Sequence, residues 1–334
     1  MIVARTSFAF VPVCLFLWSL VYIDSYKLVG LRRLIGVILS GTAAALASYV
    51  INKQILDSVI VDQFTLTSLA APAVEEALKL VPVLFLLRKR IGFVIDAAIC
   101  GFAAGTGFAV VENLYYMTVL PDRSLGFWVV RGFGTAVMHG GTTALAAMIT
   151  KVLFQRREAE PLILAIPGFV IAFAIHSVFN QFILSPLASA LAVTTMLPPL
   201  LVLVFAQSER YLQSWLGSGF DLDTELIKAI RSGDFASTRP GRYLQSLREH
   251  FDGAVVADML CYLRLSAELS LRAKGVLMLR ENGLPVPKDA ESAHKLAELQ
   301  YLKSTIGKTG QLALAPILGQ TPHDIWQLRL LEEL

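Results

Sequence analysis

Several ionisable side chains of this 334-residue chain occur inside long apolar stretches, together with one amide that follows a histidine by one helical turn. A charged group at the centre of a membrane helix costs about 2.5–3.5 kcal/mol even on the insertion scale, so each one needs a reason. Carboxylates and histidines can accept and transfer protons, and an amide can stabilise an oxyanion. Such a set could hold a water molecule for attack on a peptide carbonyl. The residues are Glu75, Glu76, Lys79, Glu112, His139, His176 and Asn180.

The spacing of these residues indicates which of them share a helix face. Glu75 and Lys79 are four residues apart with the glutamate first, which is the favourable order for an intrahelical ion pair. Glu76 points about 100° away around the helix, so the two carboxylates can have different partners. His176 and Asn180 are also four residues apart and are predicted to project together.

The elements that must position these residues are membrane-spanning helices. The chain is 55% hydrophobic and only 16% charged, with a mean hydropathy of +0.61, whereas soluble domains carry about 25% charged residues. A spanning helix needs about 20 mostly apolar residues. Seven stretches qualify, at residues 7–23, 33–51, 64–87, 93–117, 127–153, 162–184 and 187–206. The predicted fold is therefore an all-α polytopic membrane bundle.

Charge density changes along the chain. Residues 1–206 contain 24 charged residues, and residues 207–334 contain 31. This shift predicts a membrane-embedded domain at 1–206 and a soluble helical domain, of unknown role, at 207–334. The net charge of +3 gives no support to nucleic-acid binding. Cys14, Cys100 and Cys261 are scattered, so they indicate neither a disulfide framework nor a cysteine-built metal site.

Lys and Arg in the short loops predict the orientation, because cytoplasmic loops carry an excess of them. One set of alternate loops carries Lys27, Arg32, Arg33, Arg88, Lys89, Arg90, Lys151, Arg156 and Arg157. The other set carries Arg5, Lys53, Arg123 and Arg131. We therefore expect the N-terminus outside the cell membrane and the C-terminal domain in the cytoplasm. At about 1.5 Å per residue, the polar groups of four spans then reach the middle or outer half of the bilayer.

Other interpretations of these polar residues stay open at this point. Glu75 with Lys79 could be an ion pair that helps a helix to insert, and the histidines could make structural contacts between helices. A proton- or ion-coupled transporter or channel also needs membrane Glu, Lys and His, although no internal repeat of the kind common in such folds is visible. A non-catalytic scaffold is the third possibility. Among protease chemistries, the sequence has no HExxH motif, no serine in a glycine motif inside a span and no pair of membrane aspartates.

At these residues, over about positions 60–185, the chain resembles the PrsW family of membrane-embedded proteases, which is related to the CAAX prenyl proteases. The matching motifs are Glu75-Glu76-x-x-Lys79, Phe108-x-x-x-Glu112-Asn113-x-x-Tyr116, His139 and His176-x-x-x-Asn180. The CAAX type usually has Arg at the end of the first motif and His in the second, where this chain has Lys79 and Glu112. The resemblance is therefore to the PrsW type.

The resemblance implies an intramembrane endopeptidase that cuts a membrane-bound protein, typified by an anti-sigma factor, on its extracytoplasmic side. It implies Glu75 and Glu76 as the catalytic pair, with one of them activating water. His176 and Asn180 would stabilise the oxyanion or orient water, and Glu112 and His139 would complete the site. A zinc ion held by Glu112, His139 and His176 fits a family labelled as metalloproteases, and a metal-free mechanism with the same residues is the alternative. The expected partners are the substrate and the bilayer.

Overall fold

The computed structural model describes residues 2–58, 61–89, 91–156, 160–287, 290–318, 327–328 and 330–332. Within these ranges there is no strand, and helices account for nearly all of the chain. The prediction of an all-α polytopic bundle is confirmed. Of the basic residues used for the orientation, Arg90 and Arg157 lie outside the described residues, as do the side chains of Arg88, Lys89 and Arg156.

The chain divides into two compact units, Met1–Glu209 and Arg210–Leu334. The helices, in chain order, are α1 Ile2–Ile23, α2 Leu31–Asp57, α3 Ala71–Lys89, α4 Val94–Val119, α5 Val137–Arg156, α6 Pro161–Asn180, α7 Pro186–Ser232, α8 Arg239–Ser246, α9 Gly253–Glu281 and α10 Ala290–Leu318. The boundary between the units falls within the sequence of α7. In the second unit, α9 packs against α10, and the buried Lys274 ammonium lies 2.7 Å from the Asp223 carboxylate.

Two of the helices in the first unit are preceded by a stretch of π-helix. The first π-turn, Leu66–Ala70, leads into α3, and the second π-turn, Val130–Ala136, leads into α5. Such a turn accommodates an extra residue, so it rotates every side chain that follows relative to those before it. Both π-turns lie directly upstream of helices that carry predicted site residues.

Among the residues that the structure describes, six helices are long and apolar enough to cross a membrane: Ile2–Ile23, Leu31–Asp57, Val94–Val119, Leu125–Gln155, Leu162–Asn180 and Pro186–Ser232. They correspond to six of the seven predicted spans. The remaining predicted span contains α3, which packs within the bundle against α2, α4, α5 and α6. It does not qualify by composition because three charged residues, Glu75, Glu76 and Lys79, lie near its middle.

The ends of two helices differ from the predicted spans. Helix α6 ends at Asn180 rather than at residue 184, and Phe182 beyond it has a positive φ of 52°. Helix α7 continues past residue 206 to Ser232. The apolar stretch ends where Gln, Ser, Glu and Arg begin, but these residues do not break a helix, so hydropathy alone could not locate its end.

Helix α4 is the central element of the first unit because its small residues let two other helices approach closely. A Cβ atom added at Gly107 would lie 2.0 Å from the Ile38 carbonyl oxygen of α2. A Cβ atom at Gly105 would lie 2.2 Å from the carbonyl oxygen of His139 in α5. The glycines therefore set the distance between α4 and the backbone that carries a predicted site histidine.

Candidate active site

The turn that introduces α3 gives Glu75 and Glu76 different surroundings. The Asp62 carboxylate caps the short helix Gln63–Thr65 by accepting the Thr65 N–H at 2.6 Å, and the first π-turn follows. Pro72 has no N–H to donate back into that turn. Glu76 then points into the bundle and is fully buried, whereas the side chain of Glu75 is 13% exposed.

Glu76 is surrounded by hydrogen-bond donors from three helices. The Lys79 ammonium donates to Oε1 at 2.6 Å, and Nδ1 of His176 donates to the same oxygen at 2.7 Å. The Thr142 hydroxyl lies 3.2 Å from Oε1 and 3.3 Å from Oε2. A buried carboxylate needs such partners to remain ionised. The spacing that would favour an ion pair between Glu75 and Lys79 does not produce one, because α3 turns the lysine toward the inward-facing glutamate three residues before it.

The hydrogen-bond partners of His139 define which of its nitrogens carries the proton. The Lys79 ammonium lies 3.0 Å from Nδ1, and an ammonium can only donate, so Nδ1 accepts. The proton of the neutral ring is then on Nε2, which donates to Oε2 of Glu112 at 2.9 Å. Lys79 thus links Glu76 to the pair formed by His139 and Glu112.

His176 presents its other nitrogen to Glu75. Because Nδ1 donates to Glu76, the lone pair of the neutral ring is on Nε2, and that atom lies 3.8 Å from Oε2 of Glu75. The rings of His139 and His176 are nearly perpendicular, with centroids 4.8 Å apart. The second carboxylate oxygen of Glu75 accepts a long hydrogen bond of 3.4 Å from the Asn52 amide.

Arg131 belongs to this cluster, although the charge pattern of the sequence predicted it to be a loop residue. Its Nη2 lies 2.9 Å from Oε2 of Glu112, an ion pair without the geometry of a hydrogen bond. Its Nε donates to Oδ1 of Asn113 at 2.8 Å, and its guanidinium lies 4.1 Å from the ring centroid of Tyr116. The sequence did contain a signal for this role, since residue 131 falls inside the predicted span 127–153, where a charged side chain needs a partner.

Thr142 was also missed by sequence reasoning. It follows His139 by three residues and therefore shares its helix face, but a threonine in a membrane helix commonly bonds to its own backbone. Thr143 and Thr150 do so in the same helix, with hydroxyl to carbonyl distances of 2.9 and 2.7 Å. Only the contact with Glu76 distinguishes Thr142 from them.

The predicted residues converge on one cavity of about 590 Å³. It lies where α2, α4 and α6 end and where the π-turns before α3 and α5 begin. Glu75, Glu112, His139, His176 and Asn180 line it, as does Arg131, whereas Glu76 is not among its lining residues. The Asn180 amide donates to the Thr67 carbonyl oxygen at 3.1 Å, which ties α6 to the first π-turn.

A metal ion fits three of the lining residues. Glu75, His139 and His176 each offer one ligand atom, and these atoms lie within 4.8 Å of one another. His176 has the second-sphere support typical of a metal ligand, because Glu76 holds its Nδ1–H while Nε2 keeps a lone pair. Glu112 has a different arrangement from that expected for a ligand, since Arg131 and His139 both contact its Oε2. Both nitrogens of His139 are engaged as well, Nδ1 by Lys79 and Nε2 by Glu112, so His139 binds a metal only when it gives up one of these hydrogen bonds. Two histidines and one carboxylate are a common ligand set for catalytic zinc.

A family model described as PrsW family intramembrane metalloprotease matches residues 27–207, which is more than half of the chain. No curated protein matches, and no solved structure matches. The matched range includes every residue of the cavity described above.

Proposed function

The chain belongs to the PrsW family of intramembrane metalloproteases and is a multi-pass membrane peptidase, and on that premise we propose that it cleaves a membrane-anchored protein at the cavity lined by Glu75, His139 and His176. The observation that carries this proposal is the convergence of acidic and histidine side chains from α3, α4, α5 and α6 on one cavity. Because these side chains converge on one cavity, unrelated structural contacts between helices are a poor explanation for their presence in the membrane spans.

We assign different roles to the two adjacent glutamates. Glu75 is the catalytic base, because it faces the cavity and, within the described part of the chain, has only the Asn52 amide at 3.4 Å and His176 at 3.8 Å as close partners. It takes a proton from water as the water oxygen bonds to the substrate carbonyl carbon, and it returns the proton to the amide nitrogen as the C–N bond breaks. Glu76 is a positioning residue. It is buried, it accepts hydrogen bonds from Lys79 and His176, and it acts by orienting the His176 ring.

Glu75, His139 and His176 would also hold the metal ion, with His139 giving up its hydrogen bond to Glu112 in order to bind it. When bound, zinc would polarise the substrate carbonyl and lower the pKa of water. Oε2 of Glu75 faces His176, which leaves Oε1, on the Asn52 side, to accept the proton. Asn180 lines the same cavity, and its amide is suited to donate to the substrate backbone.

The proposed substrate is a single-span protein of the anti-sigma-factor type, cut in the outer half of its span or just outside. The cavity is at the same end of the bundle as the start of α1, where Arg5 donates to the Pro121 carbonyl oxygen after α4. With Arg131 assigned to the bundle, the basic residues at that end are Arg5 and Lys53, near the ends of α1 and α2, and Arg123 in the loop after α4. This bias supports a cavity open to the outside of the cell membrane and a cytoplasmic second unit.

The test is cleavage of a single-span protein in liposomes by the purified full chain. Glu75→Gln should lower the cleavage rate at least about a hundredfold, because a positioned general base contributes that much. The matched control is Glu160→Gln, which makes the same change at an exposed glutamate before α6 and should leave the rate unchanged. Full activity of a folded Glu75→Gln protein would contradict the proposal, and pH-dependent solute flux without any cleavage would favour a transporter.

Metal content is measured on the same preparations. We expect stoichiometric zinc in the wild-type protein, loss of it in His176→Gln, and recovery of activity when zinc is returned after chelation. Glu160→Gln should keep its metal. A wild-type protein that cleaves its substrate without bound metal and in the presence of chelator would show that the metal assignment is wrong while the glutamate site stands.

A further inference from the structure

A second groove lies beside the active-site cavity, between α2 and α4. Its volume is about 390 Å³, and its own wall is mostly apolar, formed by Ala45, Leu46, Phe108 and Val111 together with Ser48, whose hydroxyl donates to the Ala45 carbonyl oxygen at 2.9 Å. Six residues line both the groove and the cavity, namely Tyr49, Asn52, Glu75, Glu112, Tyr115 and Tyr116. Glu75, the proposed catalytic base, can therefore be reached both through the polar cavity and through the largely apolar groove.

The mouth of the groove lies on the outer surface of the bundle. Leu46 and Tyr49 of α2 are 58% and 50% exposed, and Tyr115 of α4 is 42% exposed. The rings of Tyr49 and Tyr115 face each other across the mouth, with centroids 5.3 Å apart. In a bilayer, apolar residues exposed along the side of a bundle contact lipid, so this mouth opens sideways into the membrane.

Away from the groove, the backbones of α2 and α4 are in direct contact. Further along both helices, a Cβ atom added at Gly41 would lie 1.9 Å from the Ala104 carbonyl oxygen, and one at Gly107 would lie 2.0 Å from that of Ile38. Backbones in such contact leave no space between them. Tyr49 lies eight residues after Gly41, and Tyr115 lies eight residues after Gly107, so both are about two turns beyond these contacts.

We propose that this groove is the lateral route by which the membrane-spanning segment of the substrate reaches Glu75, with Tyr49 and Tyr115 as positioning residues at its entrance. The proposal rests on the proposed function of the site. A substrate span is apolar and arrives from the bilayer, so it matches the wall of the groove, whereas water enters through the polar cavity. The substrate span and the water meet at Glu75, which lines both the groove and the cavity.

The decisive experiment compares one cleavage sequence presented in two ways, as a membrane-spanning protein in liposomes and as a short soluble peptide. Leu46→Trp should obstruct the groove and lower kcat/KM for the spanning substrate about tenfold or more. The same variant should cleave the soluble peptide at the wild-type rate, because the peptide enters through the water-filled cavity. The matched control is Leu39→Trp, which adds the same side chain at an exposed position of α2 outside the groove.

A second readout does not depend on cleavage. A photoreactive phenylalanine derivative placed at position 46 of Glu75→Gln protein should crosslink to the spanning substrate, and one placed at position 39 should crosslink only to lipid. Equal loss of both substrates in Leu46→Trp, or lipid as the only product at position 46, would overturn the lateral route. Failure of the wild-type protein to cleave either substrate would instead overturn the proposed function, and the crosslinks would still report on the groove.

Discussion

At the level of single residues, Glu75 and Glu76 are neighbours with opposite surroundings. Glu76 has donors from Lys79, His176 and Thr142 and no exposure, which is the arrangement that a buried anion requires. Glu75 has weak partners and faces the cavity. An adjacent pair on one helix can therefore supply both a reactive carboxylate and a fixed one.

The Thr142 hydroxyl should matter because it bonds to Glu76 rather than to the backbone alone. A hydrogen bond to a charged group contributes about 1.5–3 kcal/mol. We expect Thr142→Val, measured by steady-state kinetics, to lower kcat about tenfold with little change in KM. Thr150→Val removes a hydroxyl of the same helix that bonds only to Ala146 and should behave as wild type. Equal effects of the two variants would contradict this role.

Arg131 should stabilise the fold through Glu112, Asn113 and Tyr116 together. Arg131→Met leaves Glu112 without its cation and should lower the Tm by several degrees. Arg131→Lys should not restore the Tm, because a single ammonium cannot pair with Glu112, bond to Asn113 and stack on Tyr116 at once.

Thermal unfolding in detergent gives the comparison, with Arg123→Met as the control, since Arg123 lies in the loop after α4. Combining Arg131→Met with Glu112→Gln should recover part of the lost Tm. A Tm for Arg131→Lys equal to that of the wild type would show that charge alone is what this position requires.

At the level of elements, the site depends on how closely α4 approaches α5. Gly105→Ala would place a Cβ atom 2.2 Å from the His139 carbonyl oxygen, so the two helices would have to separate. We expect a loss of about 1–3 kcal/mol in stability, together with loss of cleavage because His139 moves. The measurements are the Tm and the cleavage rate.

The control for this prediction is Gly36→Ala in α2, where nothing lies within 4 Å of an added Cβ atom. It should leave both the Tm and the cleavage rate at or slightly above their wild-type values, because alanine favours helix. A Gly105→Ala protein as active as Gly36→Ala would show that the α4–α5 distance does not control the site.

At the level of the whole molecule, the proposed cleavage side depends on the orientation of the bundle. Lys53 and Arg32 are exposed basic residues at opposite ends of α2, and only Lys53 lines the cavity. In a chain whose three cysteines are replaced, Lys53→Cys should react with a membrane-impermeant thiol reagent added to intact cells. Arg32→Cys should react only after the membrane is permeabilised. The reverse pattern would place the cavity, and the cut, on the cytoplasmic side.

Amino-acid sequence alone located six of the helical spans and five of the residues that line the cavity, namely Glu75, Glu112, His139, His176 and Asn180, but not Arg131. Hydropathy and the cost of a charge in lipid depend on residue type and position, so Glu75, Glu112, His139 and His176 could be recognised without coordinates. The membrane topology and the role of each of these residues stay predictions, whereas the family is established by the match over residues 27–207.

Only the tertiary structure decided which side chains are partners. Lys79 binds Glu76 rather than Glu75, Arg131 lies in the bundle, and Glu75 rather than Glu112 joins the two histidines as a candidate ligand. These contacts depend on the rotation and distance of helices, which the π-turns before α3 and α5 and the glycines of α4 set. Helical periodicity describes one helix at a time and assumes a constant turn, so it cannot predict contacts that arise between helices or beyond a π-turn.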